Sequence, residues 1–148
     1  MDIKTQLNEA MKDAMRSGDA VRKTTVRMAL AAIKQIEKDK QIELDELAVI
    51  ALLQKEIKNR KEAIEEATKA ERDDLIGENE AEIAVLEVFL PEAMSADELR
   101  EIVSAAIAET GAAAMADMGK VMKVALPKVA GRAPGGDVSA MVKELLTG

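Results

Sequence analysis

Residues 45–67 read Asp45-Glu46-Leu47-Ala48-Val49-Ile50-Ala51-Leu52-Leu53-Gln54-Lys55-Glu56-Ile57-Lys58-Asn59-Arg60-Lys61-Glu62-Ala63-Ile64-Glu65-Glu66-Ala67, without a glycine or proline. Leu47, Ile50, Leu53, Ile57 and Ile64 recur near heptad spacing. That spacing puts them on one face of a single long helix, a face that suits antiparallel packing against another long helix. Asp45 caps its start, and the pattern holds for about 25 residues. Reading outward supplies the partners. On the N-terminal side, Ile3, Leu7, Ala10, Met11, Ala14 and Met15 predict a helix over Ile3–Ser17, capped by Asp2 and closed by Gly18. Asp19 caps a second helix reaching Lys40, with Val26, Leu30, Ile33 and Ile36 on its apolar face. On the C-terminal side, a fourth helix over Asp74–Phe89 carries Leu75, Ile76, Ile83, Leu86, Val88 and Phe89, and Pro91 stops it.

Leu90-Pro91-Glu92-Ala93-Met94 marks a domain boundary. Ser95-Ala96-Asp97-Glu98 then reads as a capping box opening a helix with Leu99, Ile102, Val103, Ala106 and Ile107, ended by Gly111. Met118, Val121, Met122 and Ala125 form a short face that Pro127 should kink or end. Gly131 fits the position after that helix, residues 133–136 read as loop, and Asp137 caps a last helix bearing Val138, Met141, Val142, Leu145 and Leu146. The expected architecture is all-α: a helical N-terminal domain of four helices over residues 1–92 and a small three-helix C-terminal domain over 95–148.

Composition removes most enzyme chemistry. The chain has 148 residues, 48% hydrophobic and 33% charged, with no His and no Cys. Without histidine there is no Ser-His-Asp triad and no imidazole base or metal ligand. Without cysteine there are no disulfides and no thiolate zinc sites, which suits a reducing compartment; a cytoplasmic location is the expectation. Phe89 is the only aromatic, so stacking of exposed bases is not available. No apolar run approaches membrane-spanning length, and from Met1-Asp2 no signal peptide is expected. No cofactor and no metal are expected. The net charge of −7 is uneven: residues 1–61 sum to +3, 62–92 to −9 and 93–148 to −1. The acidity belongs to one stretch, so an anionic partner for the rest is not forbidden.

Several motifs in order resemble one family. Asp117-Met118-Gly119-Lys120-Val121-Met122, then Gly131-Arg132-Ala133 and the Val138…Leu145-Leu146 helix, look like the tail domain of the GatB/YqeY family. Arg27-Met28-Ala29-Leu30-Ala31-Ala32-Ile33-Lys34, Lys58-Asn59-Arg60-Lys61-Glu62, Arg72-Asp73-Asp74-Leu75, Glu82-Ile83 and Leu90-Pro91 resemble its stand-alone YqeY-like members, so the likeness spans the chain. Lys123, where the family usually has a small residue, and the Ala133–Asp137 loop depart from the pattern. The resemblance implies an all-α protein whose tail is similar to the one with which the GatB subunit of glutamine-dependent aminoacyl-tRNA amidotransferase contacts tRNA. It also implies a label of carbon–nitrogen ligase with glutamine as amido donor, although none of the parts that perform that chemistry occurs here.

Four basic residues, Lys120, Lys123, Lys128 and Arg132, occupy a stretch with no acid between Asp117 and Asp137. Phosphate neutralisation by Lys and Arg is the main sequence-independent term in nucleic-acid binding, and Gly119 and Gly131 permit close backbone approach. These six residues are the candidate RNA-binding set; the bland reading is four cations solvating a small domain. Arg22, Lys23 and Arg27, with Lys34, form a secondary basic surface, whose ordinary explanation is pairing with nearby carboxylates. Lys58, Arg60 and Lys61 should pair internally. Glu62, Glu65 and Glu66, and Glu78, Glu80 and Glu82, read as solvated acidic faces, and the i,i+4 methionines as core filling. No hydroxyl–lysine spacing selects a catalytic pair. The leading expectation is a non-catalytic adaptor touching tRNA or another structured RNA by its phosphate backbone. The alternatives are a module docking an aminoacyl-tRNA synthetase or amidotransferase, and the ligase of the family label.

Overall fold

The structure, a computed structural model, describes residues 2–148. The described residues are all-α, as expected: α1 Ile3–Ser17, α2 Ala20–Lys40, α3 Glu46–Lys69, α4 Asp73–Glu87, α5 Ala96–Thr110, α6 Met118–Val129 and α7 Gly135–Thr147, with one 3₁₀ turn at Met115–Asp117. Contacts group them into two compact units, one ending at Leu90 and the other running from Pro91 to Gly148.

Aspartates start the first three helices. Asp2, Asp19 and Asp45 accept from the N–H groups of Thr5, Arg22 and Ala48 at 2.8, 3.1 and 2.8 Å. Each satisfies a donor that the helix leaves orphaned, worth about 1 kcal/mol. Gly18 closes α1 in the left-handed region, φ +74°. In the first unit α1 packs on α2, and the connection at residues 70–72 folds α4 back on α3. Leu7, Val26, Val49, Leu53, Leu86 and the lone aromatic Phe89 fill the interior.

Along α3, Ile50, Leu53, Ile57, Arg60, Ile64 and Ala67 step by threes and fours. Arg60 therefore occupies a core position, and it is only 7% exposed. Its Nε donates to Glu82 at 2.9 Å and its Nη1 to Glu56 at 2.8 Å. Burial works against the charge, but the two carboxylates outweigh it and hold the guanidinium above its ordinary pKa. Glu82, expected on a solvated face, is thus a structural partner. Leu47 is exposed and Val49 is buried in its stead, because Leu47 sits in the first turn, one step off the register that Ile50 to Ala67 set. Met15 at 59% and Val88 at 76% exposure are not core either. Met15 lies about 120° around α1 from Ile3, and Val88 follows the end of α4 at Glu87.

In the second unit α5, α6 and α7 surround Val103, Ala106, Val121, Ala125, Val138 and Val142. Three expectations change here. The proline does not end α6, which runs two residues past Pro127 to Val129. The final turn survives because buried Ala125 and Val129 anchor it and the Ala130 N–H bonds to Leu126 O at 3.1 Å. The left-handed closing residue is Ala130, φ 51°, with Gly131 following at φ 78°. Residues 135–136 belong to α7 and not to a loop. Pro134, φ −61°, precedes the helix, and its carbonyl accepts from Asp137 and Val138, so Asp137 lies inside the first turn.

Candidate functional site

The tail cations sit on α6 and on the turn that follows it. Buried Val121, Ala125 and Val129 define the inner side of α6. At about 100° per residue, Lys120 and Lys123 stand about 60° apart on the outer side, and Lys128 lies about 80° from Lys120 in the other direction. All three are exposed, and Arg132 is 35% exposed at its side chain.

Most of this charge has a partner. Lys128 Nζ donates to Glu109 of α5 at 2.9 Å. Arg132 donates from Nη2 to Glu98 at 2.9 Å and from Nε to the Glu92 carbonyl at 3.0 Å, while its own carbonyl accepts from the Met94 N–H at 2.9 Å. Arg132 therefore clips the start of the unit onto the α6–α7 turn. This also corrects the capping box at α5: Ser95 Oγ accepts from the Glu98 N–H at 3.1 Å, but the Glu98 carboxylate turns to Arg132 instead of back to the helix start. Lys120 has only Asp117, 4.0 Å away. Asp117 is chiefly occupied by the N–H groups of Ala113 and Ala114, at 3.1 and 3.4 Å. Those two bonds, and then Lys120, hold its carboxyl below the usual range. Among the described residues no carboxylate lies within 4.0 Å of Lys123. Gly119, beside Lys120, is bare: nothing comes within 4 Å of where a Cβ would stand.

The secondary basic surface differs from its ordinary explanation. None of Arg22, Lys23, Arg27 and Lys34 is paired with a carboxylate at 4.0 Å or less among the described residues. Of the basic trio on α3, all expected to pair internally, Arg60 alone is ion-paired among the described residues. No three carboxylates come together as a metal site among these residues, and no helix is long and apolar enough to cross a membrane. A cleft of about 400 Å³ in the tail, lined by Met94, Ser95, Leu99, Arg132, Pro134 and Met141 among others, had no signal in the sequence. It arises where the Arg132 clip brings the start of the unit against α7.

Comparison with known proteins finds sequence relatives. The model of one protein family, described as Yqey-like protein, matches residues 4–146. A protein of Lachancea thermotolerans named altered inheritance of mitochondria protein 41, mitochondrial, is 41% identical over 91 residues, covering 61% of this chain and 49% of that relative. The protein of that name in Pyrenophora tritici-repentis is 29% identical over 144 residues, 95% of this chain and 79% of its own length. An uncharacterized protein of Schizosaccharomyces pombe is 34% identical over 91 residues, 62% of this chain and 74% of its own. The chain matches about half the length of the Lachancea relative. The expectation of a cytoplasmic location is overturned by these names, which are those of mitochondrial proteins. Its basis was the missing cysteine, and a chain without thiols carries nothing that distinguishes one reducing compartment from another.

Proposed function

This chain belongs to the YqeY-like protein family, and on that premise we propose that it is a helical adaptor contacting structured RNA, tRNA foremost, through the outer side of α6. The observation that carries this reading is the availability of Lys120 and Lys123. One has a distant, otherwise occupied carboxylate and the other has none within 4.0 Å, beside the open backbone of Gly119. Lys128 and Arg132 play a supporting part by holding α5 to α6 and the start of the unit to the α6–α7 turn. Their ion pairs are exposed, and such pairs contribute about 0–1 kcal/mol, so a phosphate displaces them at small cost. Recognition follows backbone shape and charge, since Phe89 is buried and no other aromatic exists to stack on a base.

The test is binding of bulk tRNA by the full chain, followed by fluorescence anisotropy across a salt series. The expected result for the pair Lys120→Glu, Lys123→Glu is weaker binding and a log–log salt slope shallower by about 1.5. Both side chains are exposed, so helicity stays at the parent value. Unchanged affinity and slope would remove the α6 contact.

A further inference from the structure

We infer that the exposed edge of α2 is a second and longer phosphate-binding surface, formed by Lys23, Arg27, Lys34 and Lys38, which lies along the backbone of a structured RNA. The inference rests on the RNA reading above, and the experiment below separates the two. At about 100° per residue these four residues fall within an arc of about 60°, and from first to last they extend about 22 Å along the helix. Arg27, Lys34 and Lys38 are exposed and Lys23 is half-buried. None of the four has a carboxylate within 4.0 Å among the described residues, whereas three of the four tail cations do.

The neighbouring acids explain this freedom. α2 and its cap contain three carboxylates, and each is engaged elsewhere. Asp19 accepts from the Arg22 N–H. Glu37 accepts from Lys4 Nζ and the Leu44 N–H. Asp39 accepts from Gln35. From α4, Glu78 and Glu82 approach α2 at a cleft lined by Ala20, Val21 and Thr24, at the Lys23 end of the stripe, and Glu82 is already bound to Arg60. On one flank of the arc Met28 and Ala31 are exposed and uncharged; on the other, about 40° from Lys23 around the helix, the carboxylates of Asp19 and Glu37 are held by the Arg22 N–H and by Lys4 and Leu44. A one-signed line of cations on a rigid helix, with the lone aromatic Phe89 buried, selects a line of negative charge and reads no base.

The experiment uses the full-length chain and bulk tRNA, between about 50 and 200 mM salt. The stripe variant carries Lys23→Gln, Arg27→Gln, Lys34→Gln and Lys38→Gln, all compatible with a helix, and circular dichroism confirms the fold. The expected result is a salt slope shallower by about 3 and at least a tenfold loss of affinity at the low-salt end, exceeding the loss in the Lys120, Lys123 variant. If the parent binds tRNA and the stripe variant binds with the same affinity and slope, the inference is overturned and the α6 reading stands. A parent that binds no tRNA overturns both. Stripe-dependent binding of equal strength to polyglutamate, or to phosphatidylserine vesicles, overturns the assignment to RNA and gives the stripe to an acidic protein or a lipid surface.

Discussion

Thr25 and Arg60 are the two buried polar residues of the core, and they differ in how they are served. Arg60 spends its guanidinium on two carboxylates and a backbone carbonyl. Thr25, 1% exposed, has a buried hydroxyl with no hydrogen-bond partner, not even the carbonyl one turn back that a helical threonine commonly uses. A buried polar group left unpaired costs about 1–3 kcal/mol. Thr25→Val keeps the shape and removes the hydroxyl, so it should raise stability by about 1 kcal/mol. The measurement is the urea midpoint, which rises with the slope unchanged; an equal or lower midpoint would show that the hydroxyl is satisfied. That Arg60 pairs within the chain was legible from the acidic segment that follows it, but its burial was not, and Lys58 and Lys61 carried the same expectation. Thr25 was not legible: sequence shows which face of α2 it occupies, but the missing partner depends on side-chain rotation.

The elements of the first unit are tied at one end by a small polar network centred on Glu37. Its carboxylate receives Lys4 Nζ of α1 at 2.6 Å and the N–H of Leu44, in the α2–α3 connection, at 2.8 Å. Glu46, at the start of α3, accepts from the Ile3 N–H of α1 at 3.0 Å. Lys4, and then Leu44, hold the Glu37 carboxyl below the usual carboxylate range, and the same contact holds the Lys4 ammonium above its own. A depressed carboxylate contributes stability above its unfolded pKa, about 4.3, and loses it as the pH falls through the lower folded value. Chemical denaturation from pH 7 downward should therefore show stability falling below about pH 4.3, with a smaller fall in Glu37→Gln. Identical pH profiles would mean that the contact does not persist in solution. Element boundaries were readable wherever a cap or a left-handed glycine sets them, as at Asp2, Gly18, Asp19, Asp45, Ser95 and Gly111. At Pro127 the alternative of an ending was wrong, and residues 135–136 were misread as loop, because core packing and the carbonyl of Pro134 override local punctuation.

At the scale of the molecule, the buried residues form two clusters with none in common, one from Ile3 to Phe89 and the other from Leu99 to Val142. Leu53 is fully buried in the first, and Leu53→Ala should cost about 3 kcal/mol. Calorimetry is expected to show two transitions, with Leu53→Ala lowering one and sparing the other. A single transition that shifts as a whole would show the units unfolding together. The RNA readings belong to this scale too, since a chain of net charge −7 binds a polyanion only where cations stand clear of its own acids. By itself, the amino-acid sequence determined the all-α class, the first five helices to within two residues at either end and the partition of apolar faces, because periodicity and capping are local properties of the chain. Only the tertiary structure decided which cations remain available. Lys128 and Arg132 meet Glu109 and Glu98 across 19 and 34 residues of sequence, while among the described residues the stripe on α2 meets no carboxylate within 4.0 Å. Charge pairing is settled by which helix faces converge, and no spacing along a single helix encodes that convergence.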